Sequence, residues 1–394
     1  MVFRIDQGSG FNLKSMKPGD NKPTEFKRRG IMTKIIFRPQ DIKDFVVRYF
    51  VKLGVSEGGA KIAADILVTA DLRGVDSHGV IRLSTYYGSR LMKGLIDPDP
   101  EIKVVAETPA TLRIDGGSGL GQVVGHYAMT RCIQKAKEVG TALVTVRNSN
   151  HYGIAGYYAM MALDEGMIGI SYTNAQSLVA PTYGKTAILG TNPIAVAVPA
   201  GKERPYVLDM ATSIVPIGRI TVYQKAKRNI PEGWATDKAG MVTTDPDEVL
   251  HGGALMPLGG IDVMRGYKGY GLAMLVDIFS GVLSGASTLT SVGHPGDNVP
   301  ADVGHFFQAI RVDSIRPEAE FKEHMDAFIQ ELKNAPKASG QERIYIPGEK
   351  EYELAEKYQR EGVPLMVEVV DMIRKAGDEI GVPFDLESLG TVEN

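Results

Sequence analysis

The apolar positions change their period twice along the chain. Over residues 35–100 they recur three and four apart, as one buried helix face requires. "RPQDIKDFVVRYFVKLG" ends at Gly54, "SEGGAKIAADILVTADLRG" at Gly74 and "SHGVIRLSTYYGSRLMKG" at Gly94. Glycine accepts the left-handed turn that closes a helix. The linker "IDPDPEI" carries two prolines. From Ala110 alternation takes over in "ATLRID", followed by glycines and a helix predicted over Gly121–Glu138. "ALVTV" (142–146), "IGISYT" (168–173), "IAVAVPA" (194–200), "YVLDMATS" (206–213) and "HFFQAIRVD" (305–313) read as strands or strand exits. "KGYGLAMLVDIFSGVLSGA" reads as an apolar helix. Beyond Pro317 the helical period returns in "EAEFKEHMDAFIQELKNA" and "PLMVEVVDMIRKAGDEIG".

This pattern predicts a polar tail over 1–31, a helical part over 32–105, a mixed α/β part over 106–315 and a second helical part over 316–394. The tail is rich in Gly, Lys and Pro and is expected to be disordered or loosely attached. A net charge of −3 offers no footprint for nucleic acid. No apolar run is long enough for a membrane span, and the start lacks the apolar core of a secretory signal. The single cysteine, Cys132, excludes an internal disulfide and fits a reducing cytoplasm.

The polar positions that interrupt the apolar pattern are the candidates for chemistry. In "RNSNHYGIAGYYAM" a buried-strand pattern stops, His151 follows in a polar turn, and a helix begins. A histidine held at a strand end can be presented by a rigid scaffold. In "DLRGVDSHGVIRLSTYY", Ser77 and His78 stand between two helices, Arg82 follows His78 by four residues, and Tyr86 follows Arg82 by four. Helical spacing would stack the last three on one face. The planar fork of Arg82 suits a carboxylate, and His78 can exchange a proton with a neighbouring oxygen. Asp209 sits in the apolar run "YVLDMATS", where a carboxylate needs a partner. Lys268, among glycines before an apolar helix, suits a phosphate or is simply an exposed turn lysine.

Two other patterns lead away from chemistry. "IDGGSGLGQVVGHYAM" nearly forms a dinucleotide fingerprint, but Gln122 stands where the third glycine belongs, so a tight strand-to-helix turn is the better reading. The seven histidines form no H-E-x-x-H or other close ligand pair, so no metal site is expected.

"DSHGVIR", "NSNHYGIAGYY", "LGTNPIA", "LDMATS", "KGYGLAM" and "IPGE" occur in one order over residues 35–375. Taken together they resemble the type-2 malate/L-lactate dehydrogenases, which include sulfolactate and ureidoglycolate dehydrogenases. The resemblance implies an α/β fold of the α+β type that is not a Rossmann fold. A central mixed β-sheet domain would bind the cofactor, and a helical domain would be built from both chain ends. It implies a homodimer that moves hydride between NAD, or NADP, and a 2-hydroxy acid, most simply malate, with sulfolactate, lactate, ureidoglycolate or a cyclic imine acid as alternatives.

By motif, the resemblance makes His151 the proton acceptor, with His78 as the alternative. Ser77, Arg82, Tyr86 and Gln176 would lie on the substrate side. Asp209, Met210, Ala211, Lys268, Gly269, Gly348, Glu349 and Lys350 would contact the cofactor. The chain departs from the family in "GGIDVMRGYKGYG", in Arg219 where several relatives have lysine, and in Gln176, which cannot carry the charge of an aspartate found in one relative. Two other classes stay open on sequence alone: a metal-dependent hydrolase built from distant histidines, and a dinucleotide-binding protein without turnover.

Overall fold

The structure, a computed structural model, describes residues 33–294 and 296–393; the expected tail over 1–31 lies outside them. Alternation along the middle of the chain produces a seven-stranded sheet. Its order is Lys103–Glu107, Thr111–Asp115, Thr141–Ser149, Val303–Arg311, Met167–Thr173, Ile194–Val198 and Tyr206–Met210. Only the second and third strands run parallel; the other neighbours are antiparallel. That mixture excludes a doubly wound parallel sheet. Ala142, Val144, Val146, Phe307 and Ala309 are buried and pack against helix Gly121–Val139 and helix Ala155–Met161 through Met129, Tyr158 and Ala159.

The chain ends meet in a second core. Helix Pro39–Lys52 buries Ile42, Phe45, Val46, Tyr49 and Phe50, and the spacing of those residues is what its periodicity predicted. Helix Glu57–Leu72 is capped by Ser56, whose Oγ accepts from the Gly59 N–H at 3.2 Å. Helix Val367–Ile380 joins them through Val369, Val370 and Ile373. The expected α+β architecture, with a helical unit drawn from both chain ends, is therefore present.

That unit also contains strands that the helical reading did not anticipate. Thr33–Phe37 pairs on one side with Val363–Met366 and on the other with Ser388–Glu393. The start of "PLMVEVVDMIRKAGDEIG" is thus a strand, and its helix begins at Val367. Helix Glu318–Asn334 is tied to the central sheet, where the Asp326 carboxylate accepts from the N–H groups of Gly201, Lys202 and Glu203 at 2.7–3.0 Å.

The helix expected over Ser77–Gly94 is broken into three pieces. Asp76–His78 is one turn of 3₁₀ helix, Leu83–Gly88 is a π-helix and Ser89–Met92 is α-helical. A π-turn holds an extra residue, so the regular helical spacing expected after Arg82 is interrupted, and two adjacent tyrosines, Tyr86 and Tyr87, are both buried.

Candidate active site

His151 owes its position to its neighbours on both sides. The strand that precedes it ends at Ser149, and Asn148 there has φ +52°. The Asn148 N–H donates to Asp302 at 2.8 Å and its side chain donates to Asp115 at 2.8 Å. Asp115 also accepts from Arg147 at 3.0 Å and from the Gly117 N–H at 3.1 Å. Burial raises the Asp115 pKa, but these donors outweigh it and leave a net lowering. Asn150 donates to the carbonyls of Ser118 and Gly119, each at 3.0 Å.

The near-fingerprint has a use here. A Cβ on Gly121 would lie 2.1 Å from the Asn150 carbonyl oxygen and 2.4 Å from that of His151. Gly121 is therefore glycine so that the His151 loop can close onto the helix start, not so that a phosphate can approach.

Four aromatic groups surround one another at this point. The His151 Nδ1 and the Tyr87 hydroxyl are 2.6 Å apart. The Gly153 N–H points at the same nitrogen from 3.3 Å, and the His151 N–H donates to the Tyr86 hydroxyl at 3.4 Å. The imidazoles of His78 and His151 stack at 5.4 Å, and the Ser77 hydroxyl holds the His78 Nδ1 at 2.8 Å. Burial pushes His78 down to about 4, aided by the Arg82 cation. Burial, then His78, Arg82 and His305, hold His151 well below its usual value. Both rings are therefore neutral near pH 7, as a group that exchanges a proton must be in at least one half of a cycle.

Arg82 donates through Nε to the Ser77 carbonyl at 2.8 Å and makes no ion pair among the described residues. Its guanidinium thus keeps donors for an incoming carboxylate. The turn that carries Ser77 and His78 is fixed from beneath by Asp71, whose buried carboxylate accepts from the Val80 N–H at 2.8 Å. A Cβ on Gly79 would lie 1.8 Å from an Asp71 oxygen, so Gly79 has to be glycine.

Ser77 and His78 open onto a cleft of about 530 Å³. The same cleft is lined by Asp209, Met210, Ala211, Gly348 and Lys350. Three motifs far apart in sequence are thereby brought together. Gly348 has φ +90°, and a Cβ there would lie 2.8 Å from that of Val207, so the loop can pass against the edge strand only as glycine. Asp209 accepts from the Gly156 N–H at 2.8 Å; burial lifts its pKa to about 6 against that bond and the Arg73 cation.

Other expected site residues lie elsewhere. The carboxylate of Glu349 does not line the cleft: Lys333 and Arg343 hold one of its oxygens at 2.8 and 2.9 Å, and the Ile346 N–H donates to the other at 3.2 Å. Lys268 is exposed at the start of helix Tyr267–Asp277 and is not part of the cleft wall. Gly269 is buried against Leu258, whose N–H donates to the Thr212 carbonyl just beyond Ala211. Gln176 is half-buried in the turn after strand Met167–Thr173, and no hydrogen bond joins it to His78, Arg82 or His151.

The sequence model of the family described as malate/L-lactate dehydrogenase matches residues 37–374. The chain belongs to the malate/L-lactate dehydrogenase family. The malate dehydrogenase of Pyrococcus horikoshii is 49% identical over 87% of this chain and 95% of its own length. The L-sulfolactate dehydrogenase of Methanocaldococcus jannaschii is 42% identical over 89% and 99%. The crystal structure of malate dehydrogenase from Entamoeba histolytica superposes with a TM-score of 0.85 at 39% identity, covering 89% of this chain and 99% of that one. The expected membership is thus borne out, and with it an oxidoreductase of the 2-hydroxy acid dehydrogenase kind. The sheet of this chain, with its one parallel pair among the described strands, is not a Rossmann sheet, in agreement with the failed fingerprint at Gln122.

Sequence reasoning missed Tyr87, Asp71, Gly79 and Gly121. Only Gly121 left a signal, because it stood in a glycine-rich turn that had no phosphate to explain it.

Proposed function

We propose that this protein moves hydride between a nicotinamide cofactor and C2 of a small 2-hydroxy acid, most simply interconverting malate and oxaloacetate. The observation that carries the reading is the shared cleft, which Ser77 and His78 line together with Asp209, Met210, Ala211, Gly348 and Lys350. The cleft residues fit a dinucleotide. Helix Glu349–Glu361 points its N-terminus there beside Lys350, which suits a diphosphate. The carboxylates of Asp209 and Glu351 suit ribose hydroxyls, which favours NAD over NADP. When bound, the cofactor supplies the hydride chemistry.

The chain's own residues do the rest. Arg82 clamps the substrate carboxylate and orients C2. His151 takes the hydroxyl proton on oxidation and returns it on reduction, and His78 polarises the same oxygen. Tyr86 closes the substrate side.

The test is oxidation of NADH, and separately NADPH, with oxaloacetate, pyruvate, sulfopyruvate and a cyclic imine acid. Rapid turnover of oxaloacetate is the expected result; binding of NADH without turnover of any acid would overturn the reading.

The same reading makes the protein a cytoplasmic homodimer. Leu275, Ile278, Val282 and Leu283 expose an apolar stripe along helix Tyr267–Asp277 and the π-turn Ile278–Val282 that continues it, with Val282 64% and Leu283 53% exposed. A second copy of the chain is the occupant that would cover it. Light scattering should give twice the chain mass, and Leu283→Glu should halve it.

A further inference from the structure

The wall of the cleft contains a cation to which no carboxylate is paired. Arg73, the residue after helix Glu57–Leu72, lines the cleft and is 7% exposed. Its guanidinium carbon lies over the Tyr352 ring, 4.9 Å from the ring centre, and it makes no ion pair among the described residues. Burial keeps the Tyr352 phenol neutral, so the positive charge stays uncompensated. The field of Arg73 reaches Asp209 and steadies that carboxylate against burial, yet the two form no ion pair.

The cations nearby are arranged in the opposite way. Lys333 and Arg343 hold Glu349, Arg343 also holds Glu353, and Arg204 holds Glu356. None of those three acids lines the cleft. A largely buried cation needs a counter-charge, and the chain supplies none to Arg73. An anionic ligand is left to do so.

The place of Arg73 says which anion. Tyr352 belongs to the first turn of helix Glu349–Glu361, where its N–H donates to the Gly348 carbonyl at 3.0 Å. Contact with Tyr352 therefore holds the guanidinium beside that helix N-terminus, whose free N–H groups favour an anion. The first turn itself carries Glu349 and Glu351, and the Lys350 Nζ lies over the Tyr345 ring, 4.4 Å from its centre. Arg73 is the cation that offsets those acids. A guanidinium lying over a ring keeps its N–H donors at its rim, where two can reach one phosphate group. Ser77 and His78 follow Arg73 in the chain and line the same cleft. Arg73 thus links the turn of the reacting groups to the helix end. In a dinucleotide the diphosphate lies between the two nucleosides, and it is the part that meets a cation so placed.

We infer that Arg73 binds the diphosphate of the nicotinamide cofactor. The inference rests on the cofactor reading proposed above and adds to it the side chain that neutralises the cofactor's charge. Arg73 fixes the cofactor along the cleft, as Arg82 fixes the substrate.

The test is Arg73→Gln, with Arg73→Lys beside it, in the full-length protein. Fluorescence titration reads the Kd of NADH or, if that alone binds, NADPH. Calorimetry reads the Kd of ADP-ribose, which keeps the diphosphate and lacks the nicotinamide. Both values should rise on the order of 100-fold in Arg73→Gln and about 10-fold in Arg73→Lys, which keeps the charge and loses the fork. The KM of the hydroxy acid at saturating cofactor should stay within about twofold, which a disordered Ser77–His78 turn would not allow. An Arg73→Gln protein that binds the cofactor as tightly as the wild type overturns the inference. So does one that loses the cofactor and keeps ADP-ribose, because Arg73 would then meet the nicotinamide half. If the melting curve of Arg73→Gln shows an unfolded protein, Arg73→Lys decides by the same two titrations. A wild type that binds neither NADH nor NADPH removes the cofactor reading itself, and the inference with it.

Discussion

The imidazole of His78 lies face to face with that of His151, with ring centres 5.4 Å apart and planes 22° from parallel. Two rings so placed cannot both carry charge without strong repulsion, so protonation of one opposes that of the other. The pair can hold one proton at a time, which suits a site that hands a single proton to and from substrate.

The third buried imidazole makes stability depend on pH. His305 lies between the Thr173 and Ser149 hydroxyls, each at 2.8 Å, and burial pushes it down to about 3. An unfolded histidine takes up a proton near pH 6.5. Between that value and about 3 the unfolded chain therefore binds more protons than the folded one. The stabilisation is complete above pH 6.5 and is lost as pH falls, by about 1.4 kcal/mol per unit for this group. The melting temperature should drop between pH 7 and 5, and more shallowly in His305→Gln.

Arg82 should act on binding more than on turnover. Arg82→Lys keeps a charge but loses the two-pronged donor and the Nε bond to Ser77. The KM for the hydroxy acid should rise on the order of 100-fold. The NADH Kd should stay unchanged, as fluorescence titration would show. Equal weakening of both would place Arg82 elsewhere in the reaction.

Gly121→Ala would drive a methyl group into the carbonyls of Asn150 and His151. No flexible side chain stands there to give way. A loss of roughly 2–4 kcal/mol of stability is expected, with a fall in kcat at temperatures where the variant is still folded. Denaturant unfolding beside steady-state kinetics would show both; an unaltered kcat would mean that the His151 loop can shift freely.

Glu349 should matter to the cofactor without touching it. Glu349→Gln leaves Lys333 and Arg343 without their shared carboxylate. Lys333 keeps Glu203 and Arg343 keeps Glu353, so the cost should be on the order of 1 kcal/mol, with a looser loop at Gly348. NADH binding should weaken by calorimetry, and the substrate KM at saturating NADH should not move.

The legibility of the chain follows the range of its interactions. His151 could be found because a strand end, a polar turn and a helix start are all local signals. The central strands could be found because alternation survives wherever one residue in two faces the core, as in Val144 and Val146. The small sheet could not, since Thr33–Phe37 is only five residues long and pairs with segments from the other end of the chain. Tyr87 was hidden by the π-turn, which breaks the spacing that singled out Tyr86. Glu349 sits in a motif beside two residues that do line the cleft, and only its partners Lys333 and Arg343 reveal that it faces away.

The strand Thr33–Phe37 lies between two strands from the C-terminal end, and its Thr33 is paired with Glu393. This strand is synthesised before the central sheet, and both of its partners after it. Helix Pro39–Lys52 must therefore wait, with Phe45 uncovered, until Phe384 and the strands that flank Thr33–Phe37 have been made. Closure of the helical unit is then a late, slow event in the life of each new chain, and the interval before it is when aggregation competes most strongly with folding.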